Sequence, residues 1–230
     1  MGDDEKLISD VSDAARQLHP RFIALAGTPI PMITGCDLPA IAREVEGRTN
    51  IPSFAVPSNG IGTYVAGAGQ ALRLYAERFI TSRPEKRKNA VNILGATPLD
   101  FSVNGCVQSM ARRLEEAGFT LQSVFAMSSS IDAIDKAGAA EANLVISSVG
   151  LPAAKYLQAQ FGTPYVIGAP FGDFFSPYVF DALRASIRTG ENTRVLGTCS
   201  PDASDTVIVG ESVTAKSLAA ALAVGYGIGA

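Results

Sequence analysis

The stretch VNILGATPLDFSVNGCVQSMARRLEEAGFTLQSVFAM, residues 91–127, decides the fold class. VNILG is a short, continuous apolar run, the kind expected of a strand covered on both faces. VNGCVQSMARRLEEAG then reads as a helix closed by Gly118, and LQSVFAM as a second strand. A strand, a helical connection and another strand form a crossover unit. Parallel strands require such a connection, and its hand is right-handed.

The same alternation continues on both sides. Downstream, SIDAIDKAGAA reads as a Ser-capped helix, NLVISS as a strand and LPAAKYLQAQFG as a helix with Pro in its first turn. PYVIGAP is a strand and SPYVFDALRASIRTG a helix, while DTVIVGESVTAKSLAAALAVG opens a further strand–helix pair. Upstream, EKLISDVSDAARQL sets Leu7, Ile8, Val11, Ala14, Ala15 and Leu18 on one helical face. RFIALAG is a strand, CDLPAIAREVEG a helix stopped by Gly47, and IPSFAVPSNG a strand and turn. TYVAGAGQALRLYAERFI is a long helix whose Gly67 and Gly69 lower its propensity, which suggests a close neighbour there.

The expected class is therefore α/β, with Rossmann-like parallel sheets in three α/β/α layers. The polar run TSRPEKRKNA is the clearest linker, and its RPEKRK charges read as a solvated face. The expected organisation is a first α/β domain over 1–85 and a second over 86–200. The third segment, 201–230, either starts another α/β unit or completes the first. One strand–helix pair cannot make a sheet alone, so a chain cut from a longer protein is the favoured expectation.

Composition narrows the function classes. The 230 residues carry a net charge of −3 and are 47% hydrophobic, with a mean hydropathy of +0.20. No nucleic-acid partner is expected from that charge, and the apolar content suits a buried inter-subunit surface. MGDDEKLISD is acidic and polar, unlike a secretory signal, and the apolar runs are too interrupted for a membrane span. Cys36, Cys106 and Cys199 are too widely spaced for a secreted disulfide framework, so a cytoplasmic protein is expected. His19 is the only histidine, which rules out a site of several imidazoles within this chain.

In open parallel sheets, ligands bind beyond the carboxyl ends of strands. Four loops fall there: GTPIPMITGCD (27–37), PSNGIGT (57–63), GATPLDFSVNG (95–105) and SSVGLP (147–152). Each alone is explained by the need to turn the chain; together they could line one crevice. None carries a dinucleotide fingerprint or a P-loop. Thr97 and Ser147 lie in two of these loops, and Cys36 and Cys106 sit where helices begin. A thiol at a helix N-terminus has its thiolate favoured, which makes Cys36 and Cys106 candidate ligands for iron or an iron–sulfur cluster. The alternative is an ordinary half-buried cysteine with no ligand.

Several passages in order carry a resemblance. GDDEKLISDV, HPRFIALAGTPIPMITGCDLPAIAREV and IPSFAVPSNGI resemble the first domain of the nitrogenase component 1 type oxidoreductases, where a GGEEKL-like helix start leads to a strand and an IGDD turn. VNILG, RRLEEAGF, SSIDAIDKAGAAEANLVISS and AAKYLQAQFGTPYVIGAPFG resemble the second domain, and TVIVGESVTAKSLAAAL the opening of a third. The resemblance implies the chelatase-like fold of that family. It also implies pairing with an identical or homologous component 1 subunit, and electrons from an ATP-dependent iron-protein reductase. Within the family, a cysteine before the IGDD turn ligates a bridging iron–sulfur cluster; matched through TGCD, that place falls at Pro29, beside Thr28. The family's cofactor cysteine matches Ser147. The helix that brings a histidine to the substrate matches YVAGAGQAL, which has none.

The resemblance thus implies a nitrogenase-like subunit reducing a small molecule or a tetrapyrrole-type substrate, and speaks against nitrogen fixation. The cofactor it implies is an iron–sulfur cluster or metallocofactor; the candidate cofactor-binding residues of this chain are Cys36, Cys106, Ser147 and Thr97, with Cys36 and Cys106 the candidate metal ligands. Two other readings stand beside it: a scaffold or carrier for a metal cluster or cofactor, and a small-molecule binding module without redox chemistry.

Overall fold

The computed structural model describes residues 4–33, 35–102, 104–197 and 206–229. The chain divides into two compact units, Met1–Leu74 and Tyr75–Ala230.

The first unit begins with α1 (Asp4–Leu18), β1 (Ile23–Ala26), the short α2 (Pro29–Ile33), α3 (Leu38–Thr49) and β2 (Ser53–Val56). β1 and β2 pair in parallel, from Ile23 opposite Ser53 to Ala26 opposite Val56. Ile8, Ile41 and Val45 form the buried centre, joining α1 to α3. Gly47 does not stop α3. The helix runs on to Thr49 and ends where Asn50 turns left-handed at φ 56°, a conformation Asn tolerates. α4 (Tyr64–Phe79) crosses from the first unit into the second. A Cβ at Gly67 would meet nothing within 4 Å, so the close neighbour expected at that glycine is absent.

The second unit contains β3 (Ala90–Leu94), the short α5 (Pro98–Phe101), α6 (Cys106–Glu116), β4 (Thr120–Val124) and α7 (Ile131–Asp135). It continues with β5 (Ala142–Val145), α8 (Leu151–Phe161), β6 (Tyr165–Ile167), α9 (Gly172–Thr189), β7 (Thr193–Arg194) and α10 (Ser212–Tyr226). The five strands lie in the order β4-β3-β5-β6-β7, all pairings parallel. The chain leaves β3 toward β4 on one side and returns to place β5 on the other. The topological switch point is thus between β3 and β5.

One face of this sheet packs Val91, Ile93 and Leu144 against Leu114 of α6 and against Val179 and Leu183 of α9. Within the sheet, Asn92 pairs with Ser123 on one side and Asn143 on the other. All three are buried. Ser123 Oγ donates to Asn92 Oδ1 (2.7 Å), and Asn92 Nδ2 donates to Asn143 Oδ1 (2.8 Å) and to the Ala137 carbonyl (3.0 Å). Each polar group finds its partner at one register only, so the row pins the alignment of three strands.

Three expectations change here. The run around RPEKRK lies on the surface but is moored. Lys86 Nζ donates to the Ala140 carbonyl (2.7 Å) and to Thr163 Oγ1 (2.5 Å), and Arg87 Nη1 to Gln122 Oε1 (2.8 Å). The boundary between units falls inside α4, before this run, rather than at residue 85. Finally, Thr206–Val209 forms no strand, and α10 belongs to the second unit, where Ala220 and Ala221 join its core. The valines of that segment point to solvent, Val207 84% and Val209 93% exposed.

Candidate functional site

The loops after β3 and β5 meet at the switch point, and their backbones cross so closely that side chains are excluded. A Cβ on Gly150 would lie 2.5 Å from the Leu94 carbonyl carbon and 2.7 Å from Gly95 N; one on Gly95 would lie 2.7 Å from the Ser147 carbonyl oxygen. Gly95 also holds φ 91°, where a side chain is strained. This crossing brings Thr97 and Ser147 to one carboxylate. Thr97 caps α5 and donates from Oγ1 to Asp100 Oδ2 (3.1 Å), while the Asp100 N–H donates back to Thr97 Oγ1 (3.4 Å). Ser147, fully buried, donates to the same Asp100 Oδ2 (3.2 Å) and accepts from Val149 N–H (3.3 Å).

Burial raises the Asp100 carboxyl above its usual range. The Ser147 hydroxyl acts against this, and the nearby Glu211 charge adds to it. Glu211 goes the other way. Burial pushes it up, but donors from Ser148, Thr214 and Val213 outweigh that and hold it below the usual range. Two carboxylates with opposed shifts beyond the strand ends are a recurrent mark of functional sites. Sequence reading selected Thr97 and Ser147 and missed Gly95, Asp100, Gly150 and Glu211. The T-P-L-D spacing, a cap residue with an acid three positions on, was the available signal for Asp100.

The first unit has its own strand-end cleft. About 290 Å³ is lined by Gly27, Thr28, Cys36, Leu38, Pro57 and Ser58, drawn from the loops after β1 and β2; the loops after β3 and β5 belong to the other unit. Ser58 Oγ donates to the Gly27 carbonyl (2.7 Å), and a Cβ on Gly27 would lie 2.1 Å from the Ser58 carbonyl oxygen. Glycine is required at position 27 for the same reason as at the switch point.

The cysteines do not have the thiolate character expected of helix starts. The N-terminus of α3 is capped by Asp37, whose carboxylate accepts from Ala40 N–H (2.9 Å), so the helix end is already paired with a charge. Cys36 instead packs against the Ile8–Ile41–Val45 cluster, with its Sγ 3.8 Å from Asp4 Oδ1. Burial raises its pKa, and the charges of Asp4 and Asp37 and the hydrogen bond to Asp4 raise it further. Cys106 is the first residue of α6 and packs against the second unit's core; burial raises its thiol too. Cys36 and Cys106 belong to different units, and Cys199 lies outside the described residues.

No group of three or more His, Cys, Asp or Glu side chains able to hold a metal occurs among the described residues. With both described thiols raised by burial and set in different units, the donors among the described residues do not fit an iron–sulfur cluster. No described helix is long and apolar enough to cross a membrane.

The parallel sheet with its switch point between β3 and β5 is that of the doubly wound α/β proteins, a class in which ligands generally bind at strand ends. The family model of the nitrogenase component 1 type oxidoreductases matches residues 1–187, and the chain belongs to that family. It is 26% identical over 181 residues to a light-independent protochlorophyllide reductase subunit of Nostoc punctiforme, covering 74% of this chain and 36% of the relative. It is 29% identical over 184 residues to the nitrogenase iron-molybdenum cofactor biosynthesis protein NifE of Methanosarcina barkeri, covering 74% and 39%. A solved structure, nitrogenase Cp1 at pH 5, superposes with a TM-score of 0.64 at 21% identity, over 80% of this chain and 40% of that one. The chain therefore spans well under half the length of these relatives.

Proposed function

We propose that the chain is part of a nitrogenase-like oxidoreductase subunit. In this reading it reduces a small molecule or tetrapyrrole-type substrate with electrons from an ATP-driven iron–sulfur reductase, and it does not fix nitrogen. The observation that carries the reading is the similarity to protochlorophyllide reductase subunits over 74% of this chain. The exclusion of nitrogen fixation rests on Ser147. Where the family resemblance sets a cofactor cysteine, this chain has a fully buried hydroxyl already committed to Asp100.

In this reading electrons arrive from the partner, and the chain contributes the binding crevice and its pairing surface. The partner subunit is identical or homologous, and the complex is cytoplasmic. A second reading, a scaffold or carrier for a metal cluster or cofactor, is favoured by the similarity to cofactor biosynthesis proteins. Turnover separates the two. The full-length native protein, purified anaerobically, is mixed with an ATP-dependent iron-protein reductase, MgATP and protochlorophyllide. Repeated MgATP-dependent reduction supports the enzyme. Stoichiometric retention of a cofactor without turnover supports the scaffold and sinks the first reading.

A further inference from the structure

α10 runs along the carboxyl edge of the five-stranded sheet, and its contacts step from one strand end to the next. Glu211, its cap, accepts from the Ser148 N–H beyond β5 (3.0 Å), and Thr214 Oγ1 lies 3.5 Å from the Ile146 carbonyl oxygen at the same strand end. Ser217 Oγ, wholly buried, accepts from the Ala169 N–H beyond β6 (2.9 Å). Ala220 then meets Gly197 beyond β7, where an added Cβ would lie 3.0 Å from the Ala220 Cβ. From Thr214 to Ser217 to Ala220, three helical residues advance one strand. Three residues rise about 4.5 Å along a helix, and neighbouring strands lie about 4.8 Å apart. The match lets one helix seat itself crosswise over β5, β6 and β7.

The seat differs in kind from that of the neighbouring helix. α9 is anchored by Phe175, Val179, Phe180 and Leu183. α10 buries Val213, Ser217, Ala219, Ala220 and Ala221, short side chains that remove little apolar surface from water. Its strongest polar attachment is concentrated at one end. There the Glu211 carboxylate accepts from the N–H groups of Ser148, Val213 and Thr214, each at 3.0 Å, and from the Thr214 hydroxyl (3.1 Å). A segment with few buried apolar atoms opens before the rest of its domain.

We propose that α10 is a cover over the carboxyl ends of β5, β6 and β7, latched by Glu211, that opens as one piece and exposes those strand ends beside the Thr97–Asp100–Ser147 group. The cover is a property of this chain's packing and stands apart from the identity of the substrate. Residue-resolved amide exchange on the full chain tests it with two reciprocal variants. In Glu211→Gln, the amides of Ser148 and the distant Ala169 should both exchange at least about tenfold faster, while those of Asn92 and Leu144 keep their rates. In Ser217→Ala, the Ser148 amide should accelerate although it does not touch Ser217. If Ala169 ignores the first variant, or Ser148 the second, the contacts are merely local and the cover is refuted. Equal acceleration at Asn92 and Leu144 would also refute it, because α10 would then open only with the whole sheet.

Discussion

Ser147 and Asp100 stand 47 residues apart in sequence and join at 3.2 Å across the β3/β5 switch point, hydroxyl to carboxylate. The bond ties the loop after one strand to the loop after the other. It also satisfies a serine that is fully buried.

The two carboxyls of this site should give opposite pH signatures. Asp100 is raised in the folded state, so its contribution is fully present below its unfolded value and is lost as pH rises through the folded one. Asp100→Asn keeps an acceptor for both hydroxyls and removes that loss. Urea unfolding from pH 3 to 8 should show the variant gaining on the native chain as pH rises through about 4 and above, the ordinary range of an aspartate. A gap that stays flat with pH would contradict the raised value.

Glu211 is depressed, so its contribution is present above its unfolded value and is lost as pH falls through the lower folded one. Glu211→Ala also leaves the Ser148, Val213 and Thr214 N–H groups without their acceptor. A loss of about 1–2 kcal/mol at pH 7 is expected, the usual range for a helix cap, shrinking as pH drops below about 4. Denaturant melts at the two pH values measure it.

The Ser123–Asn92–Asn143 row should be costly to break at one member and cheaper to remove together. Asn92→Ala strands the Asn143 carbonyl and the Ser123 hydroxyl in the core, with an expected loss of about 2–4 kcal/mol. Adding Asn143→Ala should cost less than the sum of the single changes, because the two share one hydrogen bond. Strict additivity in the equilibrium cycle would show that the row acts as separate groups.

Glycines separate by what surrounds them. Gly150→Ala would drive a methyl into the Leu94 backbone at 2.5 Å, and neither strand end can retreat; a loss of at least about 3 kcal/mol or failure to fold is expected. Gly67→Ala, in open space on α4, should stabilise by about 0.5–1 kcal/mol. Thermal melts of both variants provide the comparison.

Raised thiols predict slow chemistry. In a Cys199→Ser background, Cys36 and Cys106 should react with iodoacetamide at pH 7.5 more slowly than free cysteine, accelerating as pH rises. Anaerobic reconstitution of this chain with iron and sulfide should leave Cys36→Ala and Cys106→Ala indistinguishable from the parent in retained iron. Rapid labelling at pH 7.5, or iron lost in either variant, would restore the ligand role to these cysteines.

Much of the fold was legible because hydrophobic period and helix-closing residues are local. VNILG and NLVISS announced covered strands, and Gly118 and Gly162 closed their helices. Where local signal and tertiary context disagree, context wins. Thr206–Val209 has strand composition but forms no strand, with Val207 and Val209 exposed, and α3 passes Gly47 because Asn50 takes the left-handed turn instead.

The candidate site divides the same way. Residue order alone identified the loops beyond the strands, and with them Thr97, Ser147 and Cys36. Only the tertiary structure decided what those residues do. Asp100 and Glu211 acquire opposed pKa shifts from burial and from donors distant in sequence. Asp37 takes the helix end that Cys36 was expected to use. Hydrophobic patterning acts along the chain and can be read from it. Desolvation and hydrogen bonding across loops depend on which segments meet, and that is settled only when the sheet closes on its strand order.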